Sequence, residues 1–202
     1  MIKIHNLNKT FEDRLLFNNF NLDIPDGSFV VINGESGSGK TTLINMIGGI
    51  EPVDSGKIIV DGIDITRRIN KKKYYKNIVG FLFQNFALLE NKTVRQNLEL
   101  IQKTGRSEIK IDEALDRVGL GNSAEKKVYK LSGGEQQRIA LARLMVKKCS
   151  LILADEPTGS LDKKNSDMVM EILHDLNREG KTVIMVTHDM TIVKEENFVI
   201  HI

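Results

Sequence analysis

The feature that most constrains this chain is one run of residues, Gly34-Glu35-Ser36-Gly37-Ser38-Gly39-Lys40-Thr41, which fits G-x-x-x-x-G-K-[ST] and is followed by Thr42. A continuous apolar stretch, Phe29-Val30-Val31-Ile32, precedes it, and a helical stretch from Lys40 to Ile47 follows. A strand buried on both faces, a glycine loop and a helix in that order make a phosphate cradle. Glycines let successive backbone N–H groups converge on one phosphate without Cβ clashes. The helix starting at Lys40 points its positive end at the anion. Lys40 then reaches the β- and γ-phosphates, and the Thr41 hydroxyl is a Mg²⁺ ligand. A chance match has a probability of about one per cent in a chain of this length. A guanine reader would normally carry Asn-Lys-x-Asp. The pairs Asn8-Lys9 and Asn91-Lys92 continue as Thr10-Phe11 and Thr93-Val94, so neither qualifies.

The chain has 202 residues, which suits one domain spanning 1–202. With 41 % apolar and 28 % charged residues it is neither disordered nor short of core. Lys plus Arg is 29 and Asp plus Glu is 27, a balance that gives no electrostatic case for nucleic acid as a partner. The one cysteine, Cys149, excludes an intrachain disulfide and a cysteine zinc site, and reads as a small buried hydrophobe. No apolar run is long enough to span a bilayer, and the N-terminus lacks an apolar leader, so a cytoplasmic protein is expected.

Strand patterns fall at Ile2–Leu7, Phe20–Ile24, Ile58–Val60, Ile78–Phe83, Leu151–Leu153 and Val183–Val186. From Thr93 to Lys147 the pattern turns helical. Thr93 and Gln96 have capping-box spacing, and Ile111, Ala114, Leu115 and Val118 share one helical face. A helical insertion over about residues 86–147 is therefore expected within a strand-rich chain. Between the last two of those strands, Met168, Val169, Ile172, Leu173 and Leu176 mark a helix, so this stretch reads as a parallel crossover unit. Arg67, Arg68 and Lys71-Lys72-Lys73, followed by Tyr74 and Tyr75, make a basic cluster that reads as a solvated surface segment rather than a nucleic-acid patch.

Other polar groups converge on the cradle. Leu151-Ile152-Leu153-Ala154-Asp155-Glu156 is an apolar strand ending in paired carboxylates. Asp155 suits a Mg²⁺ ligand, and Glu156 suits the general base that polarises the attacking water. Gln84 and His188 also follow apolar strands. In an open parallel sheet such strand ends lie along one edge. Gln84 is placed to contact both Mg²⁺ and water, and His188 to hold the γ-phosphate. His5, His174 and His201 read as structural or surface groups. Leu131-Ser132-Gly133-Gly134-Glu135 opens a long helix. Ser132 and Glu135 form a capping box, but the box does not require Gly133-Gly134. Paired glycines there bare helix amides as a second anion site without its own lysine, suited to a phosphate held by a second copy's loop.

These motifs resemble the nucleotide-binding subunit of an ATP-binding cassette transporter over essentially the whole chain. Ser132-Gly133-Gly134-Glu135-Gln136 matches the family signature. Asp155-Glu156-Pro157-Thr158-Gly159-Ser160-Leu161-Asp162 matches its Walker B and D-loop run, and Thr187-His188-Asp189 its histidine switch. The resemblance implies an α/β P-loop NTPase core with a mostly parallel sheet, an N-terminal antiparallel β segment and an inserted helical subdomain. It implies that Phe11 stacks on adenine. It also implies an ATP-bound homodimer beneath an integral membrane permease, with Asp162 coupling the two sites. Asn45-Met46-Ile47-Gly48-Gly49-Ile50 and Ala154 to Asp162 are most similar to the group serving lipoprotein release and macrolide or peptide export, which also includes the cell-division ATPase. That last relative leaves open an ATPase that pulls on a membrane partner without transport. The final strand pattern, Phe198 to Ile202, leads to the expectation of no C-terminal regulatory domain. Part of Phe86-Ala87-Leu88-Leu89 is expected to line a groove for a permease helix.

Overall fold

The computed structural model describes residues 1–67, 71–159 and 161–202. Arg68 of the basic cluster and Ser160 of the Asp155–Asp162 run lie outside them. The chain opens as an antiparallel hairpin of β1 (Ile2–Phe11) and β2 (Arg14–Ile24), both longer than the alternation predicts. The cause is a set of register shifts between Ile4 and Thr10. Asn6 and Asn19 take left-handed backbones, φ 49 and 50. Side-chain amides replace ladder bonds there: Asn6 N donates to Asn21 Oδ1 at 2.9 Å, and Asn19 N to Asn8 Oδ1 at 2.8 Å. Each bulge exchanges the inner and outer faces, which erases the period-two pattern from the sequence while the pairing continues.

Next come β3 (Phe29–Asn33), α1 (Lys40–Ile47), β4 (Ser55–Val60), β5 (Ile63–Asp64), α2 (Lys71–Asn77) and β6 (Val79–Leu82). The helical stretch holds α3 (Val94–Glu99), α4 (Ile111–Arg117) and α5 (Gly133–Val146), joined by short 3₁₀ turns. The chain closes with β7 (Leu151–Asp155), α6 (Lys163–Arg178), β8 (Thr182–Val186), α7 (Met190–Glu195) and β9 (Val199–His201). One sheet is antiparallel, in the order β2-β1-β4-β5. The other is parallel, in the order β6-β7-β8-β3-β9. The β7-α6-β8 unit pairs in parallel from Leu151 opposite Thr182 to Asp155 opposite Val186, as the pattern predicts.

Strand alternation divides the interior into separate cores. Val30, Ile32, Leu151, Leu153, Ile184 and Val186 face α1 and the antiparallel sheet. Their neighbours Val31, Ile152, Ala154, Val183 and Met185 face α5, α6 and the helical stretch. A strand buried on both faces must be apolar at every position, which is why these strands read as continuous runs.

The basic segment is ordered differently from its expectation. Lys71–Asn77 is helix α2, with Tyr74 fully buried and its hydroxyl donating to Ile47 O at 2.7 Å. Tyr75 donates to Gly49 O at 2.7 Å. Both rings dock α2 on the end of α1, so Tyr74 has no face left for a base. The capping box of α3 forms in full, with Gln96 N donating to Thr93 Oγ1 at 3.2 Å and Thr93 N to Gln96 Oε1 at 3.0 Å. Cys149 is buried. His174 stacks on Phe29 with ring centroids 4.3 Å apart and its Nε2 lies 3.0 Å from Glu196 Oε1, a structural role. Phe86 and Leu88 pack against the core, whereas Leu89 is exposed. No helix among the described residues is long and apolar enough to cross a membrane.

Candidate active site

The strand order β6-β7-β8-β3 places the C-terminal ends of these strands side by side. Gln84 follows β6, Asp155 ends β7 with Glu156 next, Thr187-His188 follow β8, and the glycine loop follows β3. All but Asp155 contribute walls to one cavity of about 940 Å³, in the range of small-molecule sites, with Phe11, Lys40, Gln84, Glu156 and His188 among its lining. Ser36, Gly37, Gly39, Thr41 and Thr42 line it as well.

The loop has the form of an anion cradle. Gly37 and Gly39 have φ of 78 and 103, and Gly34 has φ 155. Gly39 caps α1 with no side-chain acceptor, and the first turn of α1 carries no acidic residue. The leading amides of α1 therefore keep their donors for a ligand. Lys40 is buried, its Nζ donating to Gly34 O at 2.9 Å and Glu35 O at 2.7 Å. The ammonium is thus folded back over the loop. Ser38 N donates to Glu35 O at 3.2 Å, while Ser38 Oγ is buried without a partner among the described residues. A buried hydroxyl without a partner costs free energy unless a ligand meets it, and a phosphate oxygen is such a ligand.

Thr41 Oγ1, in the first turn of α1, donates at 3.2 Å to Oδ1 of Asp155, the last residue of β7. These are hard oxygen donors, and Mg²⁺ takes few protein ligands alongside waters and substrate phosphates. Among the described residues no group of His, Cys, Asp and Glu could hold a metal ion by itself. The oxygen pair therefore fits a cation that arrives with a polyphosphate. Burial pushes the Asp155 carboxyl above its ordinary value, opposed by the Thr41 hydrogen bond and by Lys40. Burial also raises Glu156, opposed by nearby His188. His188 N donates to Glu156 Oε2 at 3.4 Å, and His188 Nε2 lies 3.3 Å from Glu156 Oε1. Glu156 itself takes a left-handed backbone, φ 46.

Ser132, Gly133 and Gly134 stand apart from this cavity's walls. The capping box of α5 is complete: Glu135 N donates to Ser132 Oγ at 3.3 Å, and Ser132 N to Glu135 Oε2 at 2.8 Å. The glycines divide their work. Among the described residues a Cβ on Gly133 would meet nothing within 4 Å, whereas one on Gly134 would lie 3.1 Å from the Asn165 side chain. Gly133 leaves open space over the helix start, and Gly134 permits close contact with α6.

The sequence pattern alone does not single out Arg14. It pairs with Phe11 across the hairpin and lines the cavity, and a Cβ on Gly37 would lie 3.1 Å from its Nη1. It makes no ion pair among the described residues. The signal was present in the tight turn at Glu12-Asp13, which sets Arg14 opposite Phe11.

Comparison with known proteins gives consistent findings. A family model described as ABC transporter matches residues 17–159. The ABC transporter ATP-binding protein YvrO of Bacillus subtilis is 40 % identical, over 96 % of this chain and 90 % of YvrO. The macrolide export ATP-binding/permease protein MacB of Campylobacter jejuni is 37 % identical over 100 % of this chain; the chain spans 33 % of MacB. Among solved structures, the ATP-binding cassette MJ0796, a dimer in a post-hydrolysis state bound to ADP and Pi, superposes with a TM-score of 0.88. It is 34 % identical, covering 100 % of this chain and 94 % of that one.

Proposed function

The chain belongs to the ABC transporter family as an ABC ATPase, and from that premise we propose that it is the motor subunit of an exporter or extractor. It dimerises on ATP and drives a peptide, lipoprotein or drug-like molecule through a separate integral permease, working at the inner face of the cell membrane. The observation that carries this reading is the meeting of phosphate loop, Glu156, His188 and Gln84 around one cavity, with Ser132 outside it. YvrO and MacB support the transport assignment through their names alone.

In this reading Phe11 stacks on the adenine. The amides of residues 34–42 and Lys40 hold the phosphates, and Thr41, Gln84 and Asp155 would hold Mg²⁺, which would supply charge neutralisation at the phosphates. Glu156 takes a proton from water as the water oxygen bonds to the γ-phosphorus. The bond from that phosphorus to the β-phosphate bridging oxygen breaks, releasing ADP and phosphate. His188 holds the γ-phosphate in line. Ser132, Gly133 and Gly134 of a second copy close over the same phosphate. Glu156→Gln tests the assignment. Steady-state hydrolysis is lost while ATP binding persists, and ATP holds the variant as a dimer on size exclusion. Turnover near the unmodified rate would remove Glu156 from the base role.

A further inference from the structure

Gln137, on α5, is 1 % exposed. Its Nε2 donates to Pro157 O at 2.8 Å, while its Oε1 is buried with no partner among the described residues. A half-satisfied carboxamide costs free energy that an apolar side chain of the same shape avoids. Packing therefore does not account for glutamine here, whereas the bond it makes to Pro157 does.

Pro157 follows Glu156, whose backbone is left-handed at φ 46. A left-handed glutamate before proline persists only where its surroundings over-determine it. Glu156 N donates to Val186 O at 3.0 Å, and Gly159 N returns to Glu156 O at 3.3 Å. Those restraints come from the parallel sheet and from the turn itself. The bond from Gln137 comes from the helix that Ser132 starts. The adjacent Arg138 holds the other end of the same segment. Its Nη1 donates to Asn165 Oδ1 at 2.6 Å, and Asn165 donates through N and Nδ2 to the Asp162 carboxylate at 2.9 and 2.8 Å. Consecutive side chains of α5 thus grip both ends of the segment 157–162.

We propose that Gln137 is a positioning residue for hydrolysis: through the Pro157 carbonyl it registers the Glu156 carboxylate to the helix whose first residues meet the second copy's nucleotide. This rests on Glu156 as the base and on Ser132 acting across the dimer. Movement of α5 onto the partner's phosphate then adjusts the base of the chain's own site.

Gln137→Met keeps the length of the side chain and removes the donor. With the base out of register, kcat falls about tenfold or more. KM for ATP, ATP-dependent dimerisation and the melting temperature stay unchanged. Gln137→Glu is the rescue, because burial favours the neutral carboxyl, whose O–H donates to Pro157 O. Its kcat relative to the unmodified protein rises as pH is lowered, and it also decides the matter if Gln137→Met does not fold. Unchanged kcat in Gln137→Met, or losses of kcat that track melting temperature and dimerisation in both variants, would overturn the proposal. Glu156→Gln is measured in parallel. If it turns over, the base assignment fails and the proposal with it; if it is inactive while Gln137→Met is fully active, only the role of Gln137 is lost.

Discussion

Phe11 is 52 % exposed at the end of β1 and lines the nucleotide cavity, so its ring contributes little to the core. A half-exposed phenylalanine at a ligand-sized cavity is suited to stack on a base. Phe11→Ala should weaken ATP binding by about 1–2 kcal/mol, the scale of one base stacked on one aromatic ring. Titration of nucleotide binding checks it, with thermal melting beside it; a lowered melting temperature at unchanged affinity would assign the ring to packing instead. Single residues differ in how openly the sequence announces them. Asp155 and His188 are visible because each stands at the end of an apolar strand, and Lys40 because a glycine-rich loop joins it to one. Lys9 is not: lysine in an alternating strand reads as solvent-facing, yet it is buried, with Nζ 2.6 Å from Glu51 Oε1 and donating to Pro52 O at 3.0 Å. Its partners lie more than forty residues away, beyond the reach of any local pattern.

Helices α1 and α5 both have glycine at their N-terminal boundary, Gly39 capping α1 and Gly133 opening α5, and their N-termini are finished in opposite ways. The start of α1 has no side-chain acceptor and no acid, and leaves its amides to a ligand. The start of α5 is closed by Ser132 and Glu135. The hydrogen bonds from Ser132 N and Oγ hold the Glu135 carboxyl below its ordinary value of 4.5. A depressed folded pKa contributes stability that is complete above the ordinary value and is lost as pH falls through the folded one. Ser132→Ala should therefore cost about 1 kcal/mol at neutral pH. Denaturant melts should show that deficit shrinking once the pH drops through the lowered Glu135 value, and a deficit independent of pH would uncouple the two residues. At this scale the helices were legible from capping boxes and apolar faces, as at Thr93 and at Ala114-Leu115-Val118. The hairpin's length and the helix over Lys71–Asn77 were not. Bulges break the strand alternation, and Tyr74 is the only buried residue in that helix, too little for a period to show.

For the whole molecule, the arrangement of the two phosphate-binding elements argues for an assembly. The cradle opens from the C-terminal edge of the parallel sheet, while Ser132 lies outside the cavity on a helix gripped from α6 by Asn165 and from the 157–162 segment by Pro157. Closing one chain's Ser132 over its own loop would break those contacts. In the proposed assembly a second copy in head-to-tail orientation would bring Ser132 over the partner's loop with all of them intact, and would bury two nucleotides between the subunits. Ser36 and Ser132 are both exposed, so cysteines at these positions are free to react. The native thiol is removed first with Cys149→Ala, because burial would leave a serine hydroxyl there without a partner. Ser36→Cys and Ser132→Cys are then combined in one chain and oxidised with and without ATP in the Glu156→Gln background. A disulfide needs Cα atoms within about 7 Å, so it reports direct apposition of loop and signature. Apposition across the dimer gives a band at dimer mass on a non-reducing gel that depends on ATP. A crosslinked species that stays at monomer mass would mean that the two elements meet within one chain, and the nucleotide sandwich would have to be abandoned.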